Sequence, residues 1–511
     1  MGQTVQRLDA IAGIAADSAA VRVLERISFV CLVLMAMAAP HSIAATQTLW
    51  LIGLLAWVVR LAIGPRQVFR FGKLDAALLL FVGWSVLSAF LSYEPAISLD
   101  KLRGVGLFII LYYAYYNIRS MRAVRFVAIA LIASSMASVT WAPLERLIGR
   151  GVELQGVKAE GALGKAGLAA GDTILTVNKH TVSSPEEAVS AIREAGKAEI
   201  EYHRPDTNRG TTVESSTLGG GTALEELGIS GWKTNRKWRA AGFYGHFTTY
   251  SEVLQLIGSL VLGLLLAAFA DWLHHKRDKA ANTAAAMFVR RRLRVSAVVL
   301  GVCFGLIVVA LLLSATRASQ LGLAVSGLVM VMAAGSRKLA IVVLLLAIPA
   351  GVGGYYVLQQ TRQQSETNEY RKTMWRDGAR LATERPRHML VGVGMDSLKK
   401  HWQEWGLFDR GYLPMGHFHS TPVQLAVERG MPALLFWLAF LAIYARTLWR
   451  AAGAAADTSA RGILLGCLGG LAGFFTAGLV HYNLGDGEVA MVFYLLTGLS
   501  LRTADVALAD Q

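Results

Sequence analysis

About twelve apolar runs punctuate this chain, near residues 23–40, 46–64, 75–92, 103–118, 123–142, 247–270, 294–314, 318–335, 338–358, 422–445, 462–480 and 484–502. Each approaches the roughly 20 residues that carry a helix across the hydrocarbon of a bilayer. A backbone in lipid must satisfy its own hydrogen bonds, so such runs are helices. The composition agrees, with 54% hydrophobic and only 17% charged residues. The expected fold is therefore an all-α polytopic membrane protein of about 12 transmembrane helices, which excludes a soluble enzyme. The first twenty residues are mixed polar and the first apolar run continues into a span, so no cleavable signal peptide is expected. Cys31, Cys303 and Cys467 all fall inside apolar runs, where neither an extracytoplasmic disulfide nor a cysteine zinc site is expected. The net charge of +15 fits basic loops facing anionic membrane lipid better than it fits nucleic acid.

The basic residues orient the spans. Arg60, Arg66, Arg70 and Lys73 follow the second run, and Arg119, Arg122 and Arg125 follow the fourth. His274, His275, Lys276, Arg277, Lys279, Arg290, Arg291 and Arg292 follow the sixth, Arg337 and Lys338 the eighth, and Arg446, Arg450 and Arg461 the tenth. All lie on one side if both termini are cytoplasmic, whereas the opposite loops at 41–46 and 92–100 are nearly free of Lys and Arg. The expected organisation is helices one to five over 1–151, an outer insert over 152–216, an outer linker over 217–246, helices six to nine over 247–358, an outer loop over 359–420, and helices ten to twelve over 421–511.

Within the insert, 173–177 alternates apolar and polar residues, and an amphipathic helix follows with Ser184 and Pro185 at its start. Ala166-Gly-Leu168, Gly171-Asp172, Ile174, Val177-Asn178 and that helix resemble a PDZ domain of bacterial periplasmic proteases, a small α+β unit. The resemblance implies peptide capture by strand addition, hence a periplasmic protein partner; a structural insert with a PDZ-like core is the other reading. Gly219, Gly220 and Gly221 are read as the start of the linker, and Trp232, Lys233, Arg236, Lys237, Trp238 and Arg239 as a membrane-interface run.

The loop 359–420 holds ten Lys and Arg against seven Asp and Glu, with four histidines. A basic excess on the outer side runs against the usual bias and is understandable if the loop handles anions. Its first half is helical in character: Arg371 and Trp375 share one face, Arg376 and Arg380 another, and Pro386 ends the helix. Gly392-Val-Gly394 reads as a turn with no nucleotide-binding context. At its end Thr421 reads as an N-cap, Pro422 as the first helical residue and Gln424 as the partner of a capping box. That places His419, with His417 beside it, at a helix start where the dipole favours anions. The residues alone leave two readings: a reaction site, or two interfacial histidines. Arg317, in the tight turn between the seventh and eighth runs, is either a headgroup anchor or a phosphate ligand.

Thr316-Arg317-Ala-Ser319, the segment Arg371-xxx-Trp375 with Pro386 and Gly392-Val-Gly394, and His419-Ser-xxx-Gln-Leu with Gly430 together resemble the O-antigen ligase and polymerase superfamily of membrane glycosyltransferases. Ser420 stands where many members have Asn. The resemblance implies a site facing the periplasm in the bacterial inner membrane, a glycan donor linked to undecaprenyl diphosphate, and lipid A–core as acceptor in lipopolysaccharide biosynthesis. It implies that Arg317 and Arg371 clamp the diphosphate, with Arg376 and Arg380 as helpers, and that His419 is the general base. Trp375, His417 and Asp486 are supporting or acceptor-binding candidates, with interfacial solvation the other reading of Asp486. Inversion without a metal or other cofactor is expected. An O-antigen polymerase or a protein O-oligosaccharyltransferase shares donor and base and differs in acceptor. A PDZ-bearing membrane protease would need an HExxH motif that no span contains, and a transporter would need internal inverted repeats that the chain does not display.

Overall fold

A computed structural model describes residues 2–16, 18–204, 207–277, 284–335, 362–410 and 416–509. The chain forms two compact units, one of residues 1–138, 243–312 and 316–511, the other of residues 139–242 and 313–315.

The first unit is helical. In chain order its helices are α1 (Gly2–Ala12), α2 (Ala19–Ala38), α3 (Ile43–Ile63), α4 (Lys73–Phe90), α5 (Pro95–Val105), α6 (Ile109–Asn117) and α7 (Met121–Ile148), the last of which runs on into the second unit. After α8 to α10 of the second unit come α11 (Phe247–Arg277), α12 (Ala284–Leu313), α13 (Arg317–Ala333), α14 (Arg362–Thr383), α15 (Pro386–Val391), α16 (Leu398–His401), α17 (Thr421–Ala454), α18 (Thr458–Gly478) and α19 (Gly487–Ala509). Eight of those among the described residues are long and apolar enough to cross a membrane: α3, α4, α7, α11, α12, α17, α18 and α19. The other expected spans differ for local reasons. Helix α2 is 20 residues long but carries Arg22, Glu25 and Arg26, and Glu25 is buried between Arg60 and Arg119 at 3.0 and 2.6 Å. The run 103–118 is broken between α5 and α6 by a short 3₁₀ turn. Helix α13 stops at 17 residues. The run 338–358, with Arg337 and Lys338, lies outside the described residues.

Glycines bring the central helices close together. A Cβ on Gly263 of α11 would lie 2.3 Å from the backbone of Gly466 in α18, and one on Gly322 of α13 would lie 2.8 Å from Gly473 of α18. Such small residues let backbones approach where lipid gives helices no hydrophobic reason to associate. Polar bonds add to that contact. Gln255 of α11 donates to Ser326 of α13 at 3.1 Å, and the hydroxyls of Ser251 and Ser319 meet at 2.9 Å. The outcome is positional: Glu252, Arg317 and the turn after α18 come to the same end of this three-helix group.

Helix α17 is not continuous. Gly430 has φ 83° and ψ 168°, and Pro432 follows it. Proline has no N–H to bond the carbonyl four residues back, and Gly430 leaves the helical region, so carbonyls before the break lose their partners. Two of them are recovered by the GxG turn: Val393 N donates to Val427 O and Gly394 N to Glu428 O, both at 2.9 Å. Ser88 of α4 donates to the same Glu428 carbonyl at 3.1 Å. The approach leaves no room for side chains, since a Cβ on Gly392 would lie 2.4 Å from Glu428 and one on Gly430 would lie 2.1 Å from Leu390 O.

The second unit is a six-stranded antiparallel sheet with three short helices. Its strands are β1 (Arg150–Val157), β2 (Thr173–Val177), β3 (His180–Thr181), β4 (Lys197–Arg204), β5 (Thr207–Glu214) and β6 (Ile229–Asn235), in the order β5-β4-β2-β1-β6 with β3 on β2. The helices are α8 (Ala162–Lys165), α9 (Pro185–Ala195) and α10 (Ala223–Leu227). Ser184 caps α9, accepting from Glu187 N at 3.3 Å, and buries Val189 and Ile192 against Ile174, Ile200 and Val213. Arg204 bonds Asp172 at 2.6 Å across the sheet end. Residues 217–242 of the expected linker 217–246 are instead part of this unit. Thr222 caps α10, and β6 pairs with β1 from Arg150↔Asn235 to Val157↔Ile229. The three glycines hid a capping box one residue later. The basic-aromatic run is also partly internal: Trp238 is buried with Arg150 stacked on it at 4.6 Å, and Arg239 donates to the carbonyls of Ser314 and Ala315.

Gly430→Ala should destabilise the protein, because its φ/ψ is nearly confined to glycine, at a cost of about 1–3 kcal/mol before any clash. The thermal midpoint of the purified protein measures this, and an unchanged midpoint would mean that the break relaxes without penalty.

Candidate active site

The tight turn between α12 and α13 sets the first functional residue. Ala315 takes a left-handed φ of 51°, Thr316 is the buried N-cap of α13, and Gln320 reaches back to Leu311 O at 3.2 Å. Arg317 is then the first residue of α13 and is exposed. A guanidinium at a helix N-terminus adds its charge to the positive end of the dipole, an arrangement that suits an anion and not a neighbouring cation.

Helix α14 supplies the second arginine. Its Met374, Leu381 and Ala382 pack with Phe418 and Val427 in one apolar cluster. Gly378 lies under the same segment, where a Cβ would meet Val423 at 2.6 Å. This face carries Arg371 one turn earlier, half-buried, together with the Trp375 indole. The Trp375 N–H is buried and has no hydrogen-bond partner among the described residues. Burial first, and then the Arg317 charge, push the Arg371 guanidinium below its ordinary value. The two arginines therefore share a field, and neither has a carboxylate partner among the described residues. Arg376 and Arg380 face elsewhere. Arg376 is exposed, and Arg380 donates to the carbonyls of Trp405 and Gly406 at 3.2 and 3.3 Å, holding the loop.

The cap at the start of α17 differs from the sequence expectation. Ser420 is the N-cap and Thr421 the first helical residue. Gln424 does reach back, but to Phe418 N at 2.8 Å. Thr421 is free to bond elsewhere, and both its N–H and its hydroxyl donate to His481 O at 3.0 and 3.1 Å. His419 stands just before this cap at φ 48°. Its N–H donates to His417 Nδ1 at 3.3 Å, and the two rings are 4.1 Å apart. Burial first, then the charges of His417, Arg371 and His481, hold the His419 imidazole down to about 3. His417 is lowered too, by burial, Lys399 and His481, against an opposing Asp396. At neutral pH both rings are neutral; the lone pair of His417 takes the His419 N–H, and that of His419 is left for other partners.

Arg317, Arg371, His417, His419 and Trp375 thus form one group, and the structure adds members that spacing did not disclose. His481 donates from Nδ1 to Glu252 of α11 at 2.8 Å. Glu428 accepts from Asp396 N at 2.8 Å, and the Tyr482 ring lies 6.3 Å from His417. Asp486 has another role: it accepts from Thr249 at 2.6 Å and from the N–H groups of Glu488 and Val489, capping α19. The carboxylate that orients a histidine here is Glu252. One signal for it existed, a lone acid inside an apolar helix.

A family model described as O-antigen ligase matches residues 302–438. This segment is similar to the O-antigen ligase family. It contains Arg317, Arg371, Trp375, His417 and His419, whereas Glu252, His481 and Asp486 lie outside it. Members of the family are membrane enzymes of glycan assembly, and the apolar helices make this chain a multi-pass membrane protein. No curated protein matches the chain.

The depressed His419 has a consequence for stability. An unfolded histidine takes up a proton near its ordinary value of about 6.5, while the folded one resists until about 3. Stability should therefore be present above the unfolded value and fall as the pH drops from there toward 3. His419→Gln should flatten that fall when thermal midpoints of the purified protein are compared between pH 7 and pH 4.

Proposed function

We propose that the protein transfers O-antigen glycan from an undecaprenyl-diphosphate carrier to lipid A–core. The observation that carries this is the pair Arg317 and Arg371, two guanidiniums in one field without a carboxylate partner among the described residues, beside a neutral histidine at a helix start. A lipid diphosphate is an anion that forks into two arginines and keeps its apolar tail in the bilayer. In the reaction, His419 takes the proton from the acceptor hydroxyl as that oxygen bonds to the anomeric carbon. The carbon–oxygen bond to the diphosphate breaks, and its electron pair leaves on a phosphate oxygen between the arginines. Attack from the face opposite the leaving group inverts the anomeric centre. Donor binding also prepares the base, because a dianion at Arg371 offsets part of the positive field that depresses His419.

The lysine- and arginine-rich loops support a chain of twelve spans in a bacterial inner membrane, with α2, α13, the 103–118 run and 338–358 completing the eight. Both termini are then cytoplasmic, and the site faces the periplasm with α14 and the second unit. The capped helix α9 and the Gly171-Asp172 turn into β2 support a PDZ-like reading of that unit and a recruiting role for a periplasmic partner. Polymerase and protein O-oligosaccharyltransferase activities would use the same donor and base, so purified acceptors tell them apart.

His419→Ala should lower transfer to purified lipid A–core on the order of 100- to 10,000-fold. Arg317→Lys and Arg371→Lys should weaken donor use although the charge is kept, since an ammonium cannot form the bidentate fork. Lysine variants that bind donor and turn over normally would reduce the arginines to interfacial anchors. Transfer by His419→Ala above a tenth of wild type would remove it as the base.

A separate expectation concerns the second unit. Arg150 and Asn235 are paired, so its strands leave and return side by side. Replacing 150–235 with a short Gly/Ser linker should leave turnover of purified substrates largely intact. A well-inserted but inactive product would place the unit in the chemistry.

A further inference from the structure

Glu252 and His481 make a hydrogen-bonded contact that the transfer chemistry above does not use. Glu252 is the sixth residue of α11 and its side chain is 3% exposed. A carboxylate in an apolar helix is costly and needs a partner or a task. Its partner is His481 Nδ1 at 2.8 Å, and the His481 side chain is 13% exposed. Backbone geometry ties His481 to the site from the other direction, since its carbonyl takes both donors of Thr421, two residues after His419. His481 is also an electrostatic neighbour of both His417 and His419. A carboxylate that accepts from Nδ1–H fixes the tautomer and ring orientation and leaves Nε2 with the lone pair.

Resting on the transfer reading, we propose that Glu252 is a positioning residue that acts through His481: it holds Nδ1–H and leaves Nε2 of His481 to take on the proton that the acceptor hydroxyl gives to His419. The balance is simple. The hydroxyl O–H bond breaks onto His419, that proton moves to Nε2 of His481, and the resulting imidazolium is held against the Glu252 carboxylate. His419 returns to its neutral form, and His481 then gives the proton to solvent, so that both rings are neutral for the next acceptor. The arrangement answers a difficulty in the site, where burial and positive neighbours make His419 a poor resting place for a proton. The charged and titratable groups around the pair are His417 and His419 from the loop before α17, Arg371 from α14 acting on His419, Tyr482 beside His417, and Asp486 acting on Glu252.

The test is the pH dependence of transfer by the full-length protein in lipid nanodiscs, with purified undecaprenyl-diphosphate-linked glycan and lipid A–core, between about pH 5 and 9. Glu252→Gln keeps the size and an acceptor oxygen but removes the charge. It should lower kcat by about tenfold or more, leave the donor KM near wild type, and move the acid limb of the rate to lower pH. Glu252→Asp should restore part of both effects, and it carries the test if the glutamine variant does not fold. A loss of activity with an unmoved acid limb, or an unchanged kcat, overturns the proposal. Failure of the parent reading looks different: wild type itself would then transfer no glycan to lipid A–core at any pH.

Discussion

The site depends on a backbone contact, the pairing of Val393 and Gly394 N–H groups with the Val427 and Glu428 carbonyls. Those carbonyls are available because Gly430 and Pro432 end the helical ladder, and a buried carbonyl without a donor would cost free energy comparable to a lost hydrogen bond. The turn that supplies the donors is fixed by Gly392, which touches the Glu428 backbone. Helix α14, the GxG turn and the outer part of α17 are therefore joined in one piece. Arg371 and His419, far apart in sequence, owe their proximity to that joint and to the apolar cluster of Met374, Leu381, Phe418 and Val427.

Electrostatics then follows from placement. Arg317 comes from a helix start, where the dipole already favours negative charge, and Arg371 comes from a half-buried position beside it. Like charges brought together without an acid raise the free energy of the empty site and lower it for an anion that lies between them. The histidines respond to the same field by remaining neutral. Each charge in the group is thus explained by its neighbours as well as by its own burial.

Much of this was legible in the sequence, because period and length report directly on lipid-spanning helices. Arg317 and His419 were legible for the same reason that a turn or a cap is, since they sit at element ends with local signatures, whereas Arg371 lies in the middle of α14 and is picked out by the resemblance to O-antigen ligases. The cap itself was misplaced by one residue, since Thr421 looks like a cap from sequence but spends its hydroxyl on His481, a contact across sixty residues. Glu252 was missed because a single acid in FTTYSEVLQL has no spacing partner, its histidine being supplied by a distant turn. The linker reading failed similarly: three glycines are a strong local signal, while the pairing of β6 with β1 is not local at all. Asp486 reads from sequence as an acceptor-binding or merely solvated acid, whereas one of its oxygens caps α19 and the other accepts from Thr249.

The break at Gly430 also bears on how the protein tolerates membranes of different thickness. A continuous span meets a mismatch in bilayer thickness by tilting as a whole, and everything attached to it tilts too. Here residues 431–454 form the longer piece, and the loops and α4 hold residues 421–429. A thinner or thicker bilayer can tilt the longer piece about the glycine while the shorter one keeps its bonds to the GxG turn and to His481. The positions of His419 and Arg371 are thereby uncoupled from lipid composition, so that changes in chain length of the surrounding lipid need not be felt where they meet.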